Sequence, residues 1–147
     1  MSTFAERVVT TYLDNNNADL RLAKNLFRGP ARPPAEGKIP AEAVFVQATG
    51  GFEPTACIDG GKGIYLLFCN LQIRVRSCAN DYTGGLELAE EVHRLLQRMP
   101  CDFDCGVTGS TPRESCPVYL KRDDQERHEW IMNFELWIDQ SVREECQ

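Results

Sequence analysis

The stretch Leu71-Gln72-Ile73-Arg74-Val75-Arg76 alternates strictly between apolar and polar side chains. A period of two belongs to a strand, and it places one row of side chains on each face. Leu71, Ile73 and Val75 then point to a core, and Gln72, Arg74 and Arg76 point away from it. A helical pattern opens a few residues later, near Tyr82. The pair predicts a two-faced sheet with a helix against one face and hydrogen-bond donors on the other. No obvious catalytic group stands in either segment. Such an arrangement suits a protein that holds a partner.

The chain has 147 residues, which fits a single domain over 1–147. Its formal net charge is −6. Phosphate-backbone binding draws on clustered Lys and Arg, so an acidic chain does not read as a nucleic-acid binder. No apolar run reaches the roughly 18 residues that would span a bilayer. The first residues lack a basic and then apolar leader, so synthesis in the cytoplasm is expected. Seven cysteines (Cys57, Cys69, Cys78, Cys101, Cys105, Cys116 and Cys146) are an odd number, and no Cys-x-x-Cys pair occurs. A disulfide scaffold is not expected, and the spacing is not a zinc pattern. The thiols read as small apolar residues. Cys101, Cys105 and Cys116 come nearest to a metal-ligand set, but no metal or cofactor is expected.

Along the chain, Phe4, Ala5, Val8, Val9, Tyr12 and Leu13 form the stripe of a first helix, with capping-box spacing at Thr3 and Glu6. Asp14 to Asn17 ends it. A short strand is predicted around Asn25–Arg28. The prolines between Gly29 and Pro40 make an extended loop over 29–40. Ala43–Ala48 reads as a strand that breaks at Thr49-Gly50-Gly51, and 50–63 as a second extended loop. Ile64–Arg76 is a long strand, interrupted near Asn70, whose apolar start Ile64–Cys69 suggests cover on both faces. Asn80 or Asp81 caps a helix over Tyr82–Met99, with Leu88, Val92, Leu95, Leu96 and Met99 buried and Pro100 as the stop. A brief strand is predicted over Phe103–Gly106, then a Gly/Ser/Thr/Pro loop. Pro117–Lys121 and Glu129–Ile138 form an antiparallel pair around the turn Asp123–Glu126, and 140–147 is a flexible tail. In the last strand Trp130, Met132, Phe134, Leu136 and Ile138 share one face, and Ile131, Asn133, Glu135 and Trp137 the other. The order predicts an α+β fold: an antiparallel-rich sheet with two helices packed on one face, plus long loops.

Candidate chemistry is sparse. Asp59-Gly60-Gly61-Lys62-Gly63 lacks the first glycine and the hydroxyl that a phosphate loop needs. His93 reads as a helix-surface histidine at a packing margin, and His128 stands near a hairpin tip. A Cys–His nucleophile needs a spatial contact that spacing does not supply. The acidic pairs Glu90-Glu91, Asp123-Asp124 and Glu144-Glu145 read as solvated. The candidate contact residues are Gln72, Arg74, Arg76, Glu135 and Trp137. Arg74 and Arg76 either meet carboxylates of a neighbouring subunit or pair within the chain, for example with Glu135. Trp137 is either an interface anchor or an edge tryptophan under a loop.

The chain resembles the tail-terminator or minor capsid (tail-completion) proteins of long-tailed bacteriophages. The residues that carry the likeness are Thr49-Gly50-Gly51, the strand Leu71–Arg76, and Asp81-Tyr82 opening a helix with Leu88, Ala89, Val92, Leu95 and Leu96. Asp123-Asp124 with Arg127, leading into Asn133-Phe134-Glu135-Leu136, completes the set. The likeness runs from the first helix to Ile138. It implies a non-enzymatic virion protein of the tail and neck that needs no cofactor and forms a six-fold ring. That ring caps the tail tube, stops its polymerisation and meets the neck or head-completion protein. Six-fold closure requires two different head-to-tail patches, which the two long loops can serve as arms. An acidic wall around a channel lets DNA slide through without specific binding. The alternatives are another neck component, such as a head-completion or stopper protein, and a small thiol- or metal-dependent enzyme using Cys101, Cys105 and Cys116 with His93 or His128.

Overall fold

The computed structural model describes residues 4–29, 40–57, 64–100, 103–104 and 106–139. In chain order they form α1 (Phe4–Asn16), β1 (Leu26–Arg28), β2 (Ala43–Cys57), β3 (Ile64–Ala79), α2 (Tyr82–Gln97), β4 (Val107–Pro112), β5 (Val118–Arg122) and β6 (Arg127–Asp139). The strands make one six-stranded sheet in the order β1-β2-β3-β6-β4, with β5 also on β6. The β1–β2 pair is parallel and the other pairs are antiparallel. This is the expected α+β architecture.

The register turns the sequence alternation into a core. Leu71, Ile73 and Val75 stand between Ala48, Val46 and Val44 on β2 and Phe134, Met132 and Trp130 on β6. Those three β3 residues are fully buried, as are Val44 and Val46. Both helices pack on this face, and one cluster joins Val8, Val9 and Leu13 of α1 to Val92 and Leu96 of α2. Asp81 is the residue that caps α2, accepting from the Gly84 amide at 3.0 Å.

Several elements differ from expectation. β2 does not end at Gly50-Gly51. A register shift between Ala48 and Gly51 takes up Thr49 and Gly50 as a bulge, Gly51 pairs with Cys69, and the strand continues to Cys57. Glycines with positive φ serve a bulge as well as a turn. The predicted loop over 50–63 is therefore strand as far as Cys57, and 58–63 lie outside the described residues, like the prolines at 30–39 and the tail at 140–147. β3 is not interrupted at Asn70. Leu66–Asn70 are half-buried rather than covered on both faces, since both helices lie on the inner side. The Gly/Ser/Thr/Pro segment is strand β4, and Phe103 is in a bend with its ring edge-on to Tyr12 at 5.0 Å.

The bulge has a support from α1. The buried Glu6 accepts from the Ala48 amide at 2.8 Å. A hydrogen bond to a charged group contributes about 1.5–3 kcal/mol. Glu6→Ala is expected to destabilise the protein by about 2 kcal/mol. Glu6→Gln, which keeps a carbonyl acceptor, should restore most of it. Chemical denaturation of both variants measures the difference, and equal midpoints would contradict this role.

Candidate assembly surface

The outer face of the sheet is the side away from the helices. There Gln72, Arg74 and Arg76 on β3 oppose Asn133, Ile131 and Glu129 on β6. All five candidate contact residues (Gln72, Arg74, Arg76, Glu135 and Trp137) belong to this face, but their surroundings differ sharply.

Arg76 is held within the chain. It is 8% exposed, and its guanidinium donates to the carbonyls of Ala41 at 2.8 Å and Pro40 at 2.6 Å. It also lies 5.4 Å from the centre of the Phe45 ring. Burial first, then the charge of Arg127, lowers its pKa from the ordinary arginine value. Glu135 is committed as well. It takes Arg113 at 2.8 Å and the Trp137 indole N–H at 2.6 Å. The same Arg113 reaches Asn70 at 2.9 Å. The Trp137 ring itself stays 42% exposed, edge-on to Phe68 at 5.8 Å.

Glu135 therefore does not pair with Arg74 or Arg76. The register sets it opposite Asn70, while Arg76 faces Glu129. Arg74 has Glu129 as its nearest carboxylate, 4.0 Å away and beyond hydrogen-bond distance. Lys121 stands 3.9 Å from the same carboxylate. Glu129 is 6% exposed, and its Oε2 makes no hydrogen bond among the described residues. Two loosely held cations thus overhang a buried acid.

His93 is buried, not on the helix surface. One ring nitrogen lies 2.9 Å from the Glu114 carbonyl oxygen, and the ring packs 5.3 Å from Phe134. Glu114 also grips Asn133 through its side-chain amide at 2.7 Å and its backbone amide at 2.9 Å. This pins the bend between β4 and β5 to the sheet. His128 meets the Tyr119 hydroxyl at 2.9 Å. Each histidine is thus engaged by an oxygen. Among the described residues no group of His, Cys, Asp and Glu could hold a metal ion, and Cys78 and Cys116 are exposed free thiols. Cys101 and Cys105 lie outside the described residues. No described helix is long and apolar enough to cross a membrane.

Sequence reasoning missed a second exposed feature. Tyr82, Tyr119, His128 and Trp130 form an aromatic cluster with neighbouring centroids 5.2 to 6.1 Å apart. Tyr119 belongs to β5, whose residues are all exposed; Tyr82 is exposed beside it and Trp130 is buried beneath them. The run Val118-Tyr119-Leu120 was the available signal.

The surface just described has polar and aromatic contact groups and no catalytic constellation. The model of the bacteriophage tail terminator proteins matches residues 35–140, well over half of the chain. The chain belongs to the bacteriophage tail terminator family. A search of the curated proteins gave no match. Tail terminators are structural proteins of the virion, not enzymes, and they sit on the tail, where they interact with the tail tube. In this terminator the match covers all of β2 to β6, and with them all five candidate contact residues.

Proposed function

We propose that this terminator assembles head-to-tail into a six-fold ring that caps the tail tube, stops its polymerisation and joins it to the neck or head-completion protein. The observation that carries the reading is the division of labour on the outer face. Arg76 and Glu135 are consumed inside the chain, whereas Gln72, Arg74 and the Trp137 ring remain able to contact another molecule. A tryptophan ring and an under-used arginine exposed at two places on one sheet face are residue types enriched at interface hot spots. A net charge of −6 on each copy favours passage of DNA over its retention.

The test is tube growth in vitro. Tail tube protein polymerised with this chain is expected to give short tubes with a ring at one end, and native mass should give six copies. Tubes of unchanged length in the presence of folded protein would reject the reading. Arg74→Glu combined with Trp137→Ala is expected to weaken capping by about a hundredfold, since two hot-spot losses of about 1–2 kcal/mol each reach that size. Trp137→Ala should move the melting temperature little, because that ring is 42% exposed, whereas Arg74→Glu sets a second carboxylate near the buried Glu129 and lowers it, so capping is compared at a temperature where the double variant is fully folded. A double variant that caps as well as the parent would remove this face from the interface.

A further inference from the structure

Strand β5 is exposed along its whole length. Val118 (43%), Tyr119 (43%) and Leu120 (41%) stand open, with Tyr119 beside the exposed Tyr82 (46%). One ladder edge of β5 is taken by β6, and no described strand runs along the other. An open apolar edge is a template for another strand, and proteins ordinarily blunt or cover it. Here the apolar half of the strand is bare.

A second open edge lies at the opposite side of the sheet. Among the described residues β1 accompanies β2 only over Val44–Val46, and the Gly29 amide bonded to the Val46 carbonyl is the last rung. Beyond it, as far as Cys57, β3 is the only described ladder partner of β2. We infer that β5 of one copy receives the distal half of β2 from the next copy as an added strand. The inference rests on the ring reading above and names its joint.

Three observations favour this occupant. The two edges lie on opposite sides of one sheet, so joining them is heterologous and closes by rotation. Their charges are complementary: Val118–Arg122 has two cations and no acid, while Gln47–Cys57 has Glu53 and no cation. Arg122 is already paired with Glu126 at 3.1 Å, so Lys121 is the cation that β5 offers, and a β5-to-β5 contact would set two of these lysines together with no added acid. Finally, Lys121 is 59% exposed and only 3.9 Å from Glu129, so it can turn to an outside carboxylate without breaking a hydrogen bond.

Amide hydrogen exchange tests the joint, comparing dispersed protein with protein assembled as rings or on tail-tube ends. Exchange is expected to slow about tenfold or more, a difference equivalent to a real binding contact, both at 118–122 and within 47–57. Leu120→Glu with Lys121→Glu is expected to weaken assembly by about tenfold or more, and Glu53→Lys should recover part of the loss. Rings whose β5 amides exchange as in the dispersed chain would overturn the joint and leave the ring intact. Protection of 118–122 by tube protein without chain–chain contact would overturn it too, because the occupant is then the tube. A chain that neither forms rings nor binds tube ends would sink the ring reading itself.

Discussion

Gly51→Ala is expected to destabilise this terminator by about 3–5 kcal/mol, the sum of a strained backbone and an unavoidable clash. Gly51 has φ +152°, in the region that side chains rarely adopt. A Cβ there would fall on the Phe68 carbonyl oxygen of β3, far inside van der Waals contact. The obstacle is backbone, so no rotamer change relieves it. The adjacent strand cannot retreat either, because its other edge is paired with β6 through Phe68↔Trp137. The chain's remaining option is to unpair β2 beyond the bulge. Melting temperature should drop by roughly 10 °C, at about 2–4 °C per kcal/mol for a chain of this length. Exchange should accelerate first at 51–57 and 64–69, with α2 the last to follow. Gly50→Ala is the control. Gly50 shares a positive φ of +93°, but a Cβ there meets nothing within 4 Å, so the strain acts alone. Equal stability of the two variants would show that the clash has been misjudged. Because β2 beyond the bulge is also the proposed joining strand, Gly51→Ala should lose ring assembly at temperatures where the core remains folded.

The two central strands, β3 and β6, were legible because their chemistry is local. Leu71, Ile73 and Val75 alternate, as do Trp130, Met132, Phe134, Leu136 and Ile138, and in the fold both rows face the helices. β4 was not legible, because Thr108-Gly109-Ser110-Thr111-Pro112 has no apolar alternation and contains two poor strand formers. It is a strand because β6 offers it a ladder, which is a tertiary cause. Register was hidden for the same reason. Nothing in the order of residues says that Glu135 stands opposite Asn70, so its partner Arg113 came from a segment read as loop. Two polar groups, Glu6 with its capping-box spacing and His93 expected on the helix surface, were not legible as buried, since each is satisfied by a backbone group distant in sequence. Of the candidate assembly surface, the residue types on the outer face were readable. Which of them are already spent within the chain was not, because that depends on contacts across several strands.

The Gly84-Gly85 pair in the first turn of α2 illustrates a local rule overridden by packing. Glycine costs a helix about 1 kcal/mol relative to alanine, so alanine at either position should help if propensity decided. At position 85 it does not decide. A Cβ would lie 2.5 Å from the Ser77 Cβ and closer still to the Trp130 ring. Trp130 is 1% exposed and Ser77 is fully buried on β3, so neither neighbour can yield. Overpacking of that kind costs about 1–3 kcal/mol and belongs at the upper end here. After the gain in propensity, Gly85→Ala is expected to destabilise the protein by about 2 kcal/mol. Gly84→Ala should be near neutral: its Cβ would press on the Asp81 carboxylate and weaken a cap worth about 1 kcal/mol, offsetting a similar propensity gain. The mechanism is separable from general fragility by a double-mutant cycle. Trp130→Leu makes room, so combining it with Gly85→Ala should cost at least about 1 kcal/mol less than the sum of the two single changes. Strict additivity would refute the contact. The consequence also reaches function. The Trp130 ring lies 5.2 Å from Tyr82 and 5.6 Å from Tyr119. An α2 displaced by the new methyl group takes Tyr82 away from β5, and assembly through that edge should then weaken even at temperatures where the variant is fully folded.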